Sequence, residues 1–441
     1  MSSPGKKLDC DSRRIPEQHQ PFDVAIGVPG SKSLTNRAFM LAALADGQST
    51  LRRPLRSDDT DGLLNAMRAL GIESRYDGQD VVVQGCGGRL PQGGRVNLGH
   101  GGTPSRFMMA LSVLSPEPVH IDGSARMRER PIAQLAQLIE RMGCGVHFES
   151  EAGHLPLVVD PVARARINGR LSVGQIDSSQ FISAILLIGA CLPEGLVLRY
   201  GNDLTSRTYI DMTIEMLKSW GQMPVAIHQR DAESMGGIFF VPRKNVAGRK
   251  YDIEPDASSA LYFLAAAAMS PGSHCRIEGL GGQSLQPDMH ILDAFSSMGA
   301  IVERTSDSIS VRGTAALKGI DFDAANCPDG AVMLAVLASM AETPTRITGL
   351  QTLKIKESDR ITAIVNELQR LGGDASGSMD AIEIRPQRMP DTPVLVETYD
   401  DHRMAMAFAV LGLRRGGVSI KDPACVSKSF PEFWTAFDKL A

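Results

Sequence analysis

Six stretches of the chain are apolar on nearly every face of a helix, and each is entered through a short run of small and charged residues. They read SKSLTNRAFMLAALA, GTPSRFMMALSVLS, SSQFISAILLIGACL, DASSALYFLAAAAM, PDGAVMLAVLASMA and DDHRMAMAFAVLGL. A helix without a polar face belongs in a core, so six buried helices are predicted. Counted from Ser31, Thr103, Ser178, Asp256, Asp329 and Asp401, the starts recur at intervals of 72–78 residues. That period is too long for solenoid repeats and points to compact supersecondary units related by pseudo-symmetry.

A second helix follows in most units, as in DDTDGLLNAMRALG, RPIAQLAQLIERMG and DRITAIVNELQRLG. Apolar residues recur there three and four apart, which predicts an amphipathic helix. The helix ends near Gly71, Gly143, Gly221, Gly299 and Gly372, with Asp58 or Asp59 and Ser358 as expected N-caps. Gly- and Pro-punctuated segments such as SPEPVHIDG, and closing runs such as DVVVQG and SISVRG, read as strands. Each unit is then roughly β-α-β-α-β-β. The expected fold is α/β: a two-domain, pseudo-symmetric arrangement of six βαβαββ units, three per domain, with buried helices and sheets outside. The division is expected near Lys250 to Pro255.

At 441 residues the chain has material for real cores, and its formal net charge of −4 gives no support for a nucleic-acid or membrane partner. The seven cysteines are scattered and never form CxxC, which reads as reduced thiols of a cytoplasmic protein. The nine histidines show no HExxH or HxxxH pairing, so no metal is expected. No apolar run approaches a membrane span, and the first residues lack the apolar core of a secretory signal. Residues 1–20 are expected to be a mobile extension.

Candidate chemistry lies at the helix starts, where unpaired backbone N–H groups favour anions. Gly27-Val28-Pro29-Gly30-Ser31-Lys32-Ser33 is not a phosphate-binding P-loop, because Ser31 separates the glycine from Lys32 and the glycine spacing is wrong. It leaves a Gly/Ser turn with Lys32, Ser33 and Arg37, which reads equally as an anion site or as a capped helix beside a solvated lysine. Gly101-Gly102-Thr103 makes a close-approach turn with Arg106 one turn in. Arg126, Arg128 and Arg130 then crowd before Pro131, and at least one could grip a carboxylate or phosphate. Asp177 to Gln180 could bind phosphate or simply cap a helix. Asp329, between Pro328 and Gly330, is either a cap or a general acid/base. Lys356 to Arg360 and Asp400 to Arg403 place dense mixed charge beside apolar helices, an expensive arrangement unless these groups face a polar cleft. The inventory suits proton-transfer chemistry between small, multiply anionic molecules, and contains no nucleophilic triad.

At these residues the chain resembles the EPSP synthases, the 3-phosphoshikimate 1-carboxyvinyltransferases of the enolpyruvyl transferase family. GSKSLTNRA, the GT-x-x-R turn, RMRERPI, SSQF, DASSA, PDGAVM, KESDR, DHRMAM and KSFP occur in the family's order from about Phe22 onward. The resemblance implies domains of 32–252 and of 1–31 plus 253–441, with crossings near 29–32 and 252–256. It implies transfer of the enolpyruvyl group of phosphoenolpyruvate to the 5-hydroxyl of shikimate 3-phosphate, by addition and elimination, without a cofactor and in a monomer. It also implies roles: Asp329 as base, Lys32 and Glu357 as proton-transfer partners, and His402 in support. Lys32, Gly102, Arg130, Gln180, Arg360, Arg403 and Lys428 would hold phosphoenolpyruvate. Lys32, Ser33, Arg37, Ser178, Ser179, Gln180, Ser206, Tyr209, Asp329 and Lys356 would hold shikimate 3-phosphate. The fourth start, Asp256 to Ser259, receives no ligand and is expected to be a hinge.

Some positions depart from the family. His100 and Gly101 replace a common Asn-Ala, Phe107 a Pro, and Thr352 and Lys354 an Asn and an Arg. Gly102 keeps the small residue associated with sensitivity to glyphosate, a possible inhibitor. The sister family, UDP-N-acetylglucosamine enolpyruvyltransferase, usually carries a Cys before its Arg-Pro. DGSARMRERP has none. The other rival is a non-catalytic anion clamp of the same fold, which would not need Asp329 and Glu357 beside anionic ligands.

Overall fold

The structure, a computed structural model, describes residues 12–201, 204–231 and 234–441. The chain divides into two compact units. One comprises residues 29–257 with 284–287, and the other 1–28, 258–283 and 288–441. Segment 284–287 groups with the first of these because the Gln286 amide donates to Pro255 O at 2.8 Å and accepts from Ala257 N at 3.0 Å.

In the 29–257 unit, the helices Lys32–Leu44, Gly102–Ser112 and Ser179–Ile188 pack against one another. Leu34 to Leu44 are buried without a break, as are Phe181 to Ile188. In the other unit, Ala331–Ala338 packs on His402–Arg415, and every residue of the pair except Arg414 is buried. Ala257–Ala268 completes that core, with Leu261 against Gly330 and Tyr262 against Arg403. Each fully buried Leu, Ile, Phe or Met contributes about 1.5–3 kcal/mol, which is why no polar stripe is left on these helices.

Six sheets lie among the described residues, five of four strands and one of three. Every four-stranded sheet repeats one rule: a parallel pair, then two antiparallel partners. Gly94–Asn97 pairs parallel with Val119–Asp122, which pairs antiparallel with Leu157–Asp160, and that with Gly145–Phe148. Two sheets take their parallel lead strand from far along the chain. Lys250–Asp252 joins Gln48–Arg52, and Asp23–Ile26 joins His274–Glu278. Each unit is thereby closed on itself by a strand from its other end.

The sixth unit differs from the expected β-α-β-α-β-β order. Its sheet has three strands, and the third is Ser12–Arg14, antiparallel to Val418–Lys421. This corrects the expected 1–20 extension for its later part, residues 1–11 lying outside the described residues. Ile15 is buried, Arg13 pairs with Asp438, and its guanidinium lies 4.6 Å from the Trp434 ring centroid. Two caps also differ. Ser57, not Asp58 or Asp59, opens Asp58–Ala69 in a capping box with Thr60, so the two acids sit in the first turn. Asp359 caps Arg360–Arg370, which frees Ser358 to donate to Asp401 at 3.1 Å.

Candidate active site

In the 29–257 unit, Ser31 caps Lys32–Leu44 and sets Lys32, Ser33 and Arg37 on its first two turns. Lys32 Nζ lies 3.3 Å from Asp59 Oδ2, whose side chain is 4% exposed. The Lys32 backbone N–H donates to Asp256 Oδ2 at 3.1 Å. Arg37 is 2% exposed and bound by neutral acceptors: Thr213 Oγ1 at 2.8 Å, Ser33 O at 2.9 Å and Tyr209 O at 3.2 Å. Phe107 lies over its guanidinium, 5.6 Å from the ring centroid. Burial pulls the Arg37 pKa down to about 10, so it remains a full cation; among the described residues no carboxylate is bonded to it, which suits it to an anionic ligand.

Of the three clustered arginines, only Arg130 is buried. Arg126 pairs with Glu129 at 2.6 Å and Arg128 with Asp122 at 2.6 Å, both near the surface. Arg130 stacks so closely on Gly102 that a Cβ there would stand 2.4 Å from its Nη1. Arg106 serves the backbone instead, donating to Gly102 O at 2.9 Å and Pro131 O at 3.3 Å. Ser178 caps Ser179–Ile188 through Gln180 N at 3.3 Å, leaving Ser179 and Gln180 on the first turn. Ser206 is buried at a positive φ of 49°, just before Tyr209.

In the other unit, charged side chains from four segments converge. Asp329 Oδ1 meets Lys356 Nζ at 3.2 Å and Arg360 Nη1 at 3.0 Å, and its Oδ2 meets Arg403 Nη2 at 3.2 Å. Arg360, 1% exposed, also binds Glu357 at 2.9 Å and is gripped by both oxygens of Asp401 at 2.7 and 3.2 Å. Glu357 Oε1 reaches Lys428 Nζ at 3.2 Å. Asp401 doubles as the N-cap of His402–Arg415, accepting from Arg403 N at 3.0 Å. His402 is buried with Nδ1 3.7 Å from Asp401 Oδ1. Four cations thus face three carboxylates.

Burial pushes the Asp329 carboxyl up, but Lys356, Arg403 and Arg360 outweigh it and hold the group well below the usual carboxylate range. Burial alone would lower the Arg360 pKa, yet Asp401, Glu357 and Asp329 raise it. Asp329 is therefore a carboxylate whose basicity is suppressed by cations that an anionic ligand could claim. Occupation of those cations would return basicity to Asp329 at the moment the ligand arrives.

Sequence reasoning missed several partners. The sequence offers Asp59 only as a possible N-cap, and its place beside Lys32 is not anticipated. At the fourth start, Asp256 holds Lys32 N and Ser258 Oγ accepts from Arg403 Nη2 at 3.3 Å. Its only signal was its phase in the repeat. Lys354 Nζ lies 3.4 Å from Met379 Sδ, and Thr352 is buried. No helix among the described residues is long and apolar enough to cross a membrane.

The family model described as EPSP synthase (3-phosphoshikimate 1-carboxyvinyltransferase) matches residues 16–437. The chain is similar to the 3-phosphoshikimate 1-carboxyvinyltransferase of Methanoculleus marisnigri, 39% identical over 95% of this chain and 97% of that one. It is also similar to that of Nostoc punctiforme, 37% identical over 98% and 99%. Among solved structures, EPSP synthase from Acinetobacter baumannii superposes with a TM-score of 0.77 at 24% identity, covering 98% of both chains. The enolpyruvyl transferase NikO from Streptomyces tendae gives 0.73 at 17% identity, covering 98% of this chain and 97% of that one. At those identities the structures show the fold alone.

Proposed function

The chain belongs to the EPSP synthase family, and from that premise we propose that it transfers the enolpyruvyl group of phosphoenolpyruvate to the 5-hydroxyl of shikimate 3-phosphate. In the addition step C3 of phosphoenolpyruvate gains a proton, the hydroxyl oxygen bonds to C2, and the hydroxyl proton leaves to a base. In the elimination step C3 loses a proton, the C2–O bond to phosphate breaks, and phosphate departs protonated. Protons balance between side chains and substrates, so no cofactor enters.

In this reading Asp329 takes the hydroxyl proton, while Lys32 and Glu357 move protons at C3 and the leaving phosphate. His402, with Nδ1 3.7 Å from Asp401 Oδ1, supports the site. Arg130, Arg360, Arg403 and Lys428, with Gly102, Gln180 and Lys32, hold phosphoenolpyruvate. Ser33, Arg37, Ser178, Ser179, Gln180, Ser206, Tyr209 and Lys356, with Lys32 and Asp329, hold shikimate 3-phosphate. The observation that carries the reading is Asp329, ionised among Lys356, Arg360 and Arg403. A carboxylate restrained in this way gains basicity when substrate anions engage its partners. Preorganised cations would also stabilise charge developing on the leaving phosphate.

Glyphosate would compete at the phosphoenolpyruvate site in this account. The protein would act as a monomer in the cytoplasm, a location supported by six unpaired cysteines among the described residues. The test is phosphate release from phosphoenolpyruvate with shikimate 3-phosphate, with UDP-N-acetylglucosamine, and with neither. Release only with the nucleotide sugar would overturn the acceptor, and no release with either acceptor would favour a non-catalytic clamp.

A further inference from the structure

The start of the fourth apolar helix takes no ligand in the functional reading, yet its Ser258 touches a group that does. Ser258 Oγ donates to Asp288 Oδ2. With its proton so committed, the hydroxyl turns a lone pair toward Arg403 Nη2, which donates to it at 3.3 Å. That same Nη2 donates to Asp329 Oδ2 at 3.2 Å. The other oxygen of Asp288 accepts from Gly330 N at 3.2 Å, the peptide directly after Asp329. Asp288 is 2% exposed, and a Cβ at Gly330 would lie 3.3 Å from its Cγ, so the turn that presents Asp329 rests flush on it. A single buried carboxylate therefore governs both ends of the Asp329–Arg403 contact: the turn on one side and, through Ser258, the guanidinium on the other.

We propose that Asp288 and Ser258 are positioning residues that hold Arg403 and Asp329 in register, tuning phosphoenolpyruvate binding through Arg403 and proton transfer through Asp329. This rests on the functional reading above. The two residues divide the work. Loss of the Ser258 hydroxyl leaves the Gly330 bond intact and frees only the guanidinium. Loss of the Asp288 charge disturbs both, because an amide offers one acceptor oxygen where the carboxylate offers two.

The test compares phosphate release and thermal midpoint for Ser258→Ala, Ser258→Thr, Asp288→Asn and the unsubstituted protein. Ser258→Ala is expected to raise KM for phosphoenolpyruvate about fivefold to tenfold with kcat within about twofold, and Ser258→Thr, which keeps the hydroxyl, to restore it. Asp288→Asn is expected to lower kcat about tenfold as well. A lowered thermal midpoint with unaltered kinetics in both Ser258→Ala and Asp288→Asn would reduce the pair to a structural strut and overturn the proposal. If Asp288→Asn does not fold, the Ala and Thr variants at Ser258 decide. If the unsubstituted protein releases no phosphate with any acceptor, the functional reading fails by itself. The crystal structure of Ser258→Ala then decides the positioning claim, and an unmoved Arg403 guanidinium contradicts it.

Discussion

Replacing Asp401 with Asn removes one charge and almost no volume at the most enclosed point of the charged cluster. Asp401 is 0% and Arg360 1% exposed, and they meet through two bonds of 2.7 and 3.2 Å. Breaking a buried pair by neutralising one partner costs about 3–5 kcal/mol. Two features moderate that figure. An Asn oxygen can still cap Arg403 N, and Arg360 keeps Glu357 at 2.9 Å and Asp329 at 3.0 Å. The expected loss is therefore about 3 kcal/mol, a fall in Tm of about 6–12 °C at ~2–4 °C per kcal/mol for a unit of this size. Released from its two-oxygen grip, Arg360 leans toward Asp329 and Glu357, and KM for phosphoenolpyruvate should rise about tenfold or more. Scanning calorimetry and steady-state phosphate release read the two effects. A Tm within about 2 °C of the parent, together with an unchanged KM, would refute the claim that Asp401 orients Arg360.

Asp329→Asn should abolish most turnover, about a hundredfold or more, with the fold retained. Because the folded pKa of Asp329 is depressed, its stabilising contribution is fully present above the unfolded value near ~3.9 and is lost as pH falls through the folded value. The Tm difference between parent and variant should hold steady from neutral pH to about pH 5 and shrink only in strong acid, and a difference that vanishes between pH 7 and 5 would refute the sign. Gly102→Ala places a Cβ 2.4 Å from the present Arg130 Nη1, so that guanidinium must move. KM for phosphoenolpyruvate should rise about tenfold with KM for shikimate 3-phosphate unchanged, and equal effects on both would place the damage elsewhere. Lys32→Ala should lower kcat about a hundredfold or more while circular dichroism stays that of the parent, and near-normal kcat would reassign Lys32.

The core was the most legible part of the fold, because a helix such as Ala331–Ala338 carries no residue that water could claim. Sheet closure was not legible in the residue pattern, and only the family resemblance placed residues 1–31 with the later half. Lys250–Asp252 and Asp23–Ile26 are short strands whose partners lie about two hundred residues away or more, and periodicity carries no information about pairing at that distance. Ser12–Arg14 was lost for a related reason: a polar three-residue strand has no alternation to detect, and its anchor, Ile15, is a single apolar residue. Candidate site residues that carry unusual side chains into apolar helices, such as Lys32, Asp329 and Arg403, stood out because such charges are costly unless employed. Asp59, Asp256 and Asp288 did not, since each sits in a polar turn where an acid is unremarkable until its partner is known. Ser57 displaced Asp58 as cap because Thr60 stands at the position that completes a capping box, a pairing that acid content alone conceals.

The central claim is addition and elimination at the enolpyruvyl carbons, and running the reaction in deuterium oxide tests it most directly. Protonation at C3 makes a transient methyl group, and the following deprotonation returns a methylene that keeps solvent deuterium in part. The account predicts deuterium at the enolpyruvyl methylene of the product formed from phosphoenolpyruvate and shikimate 3-phosphate, read by proton and deuterium NMR. A product whose methylene carries only protium, or phosphate release that proceeds equally without the acceptor, would contradict it.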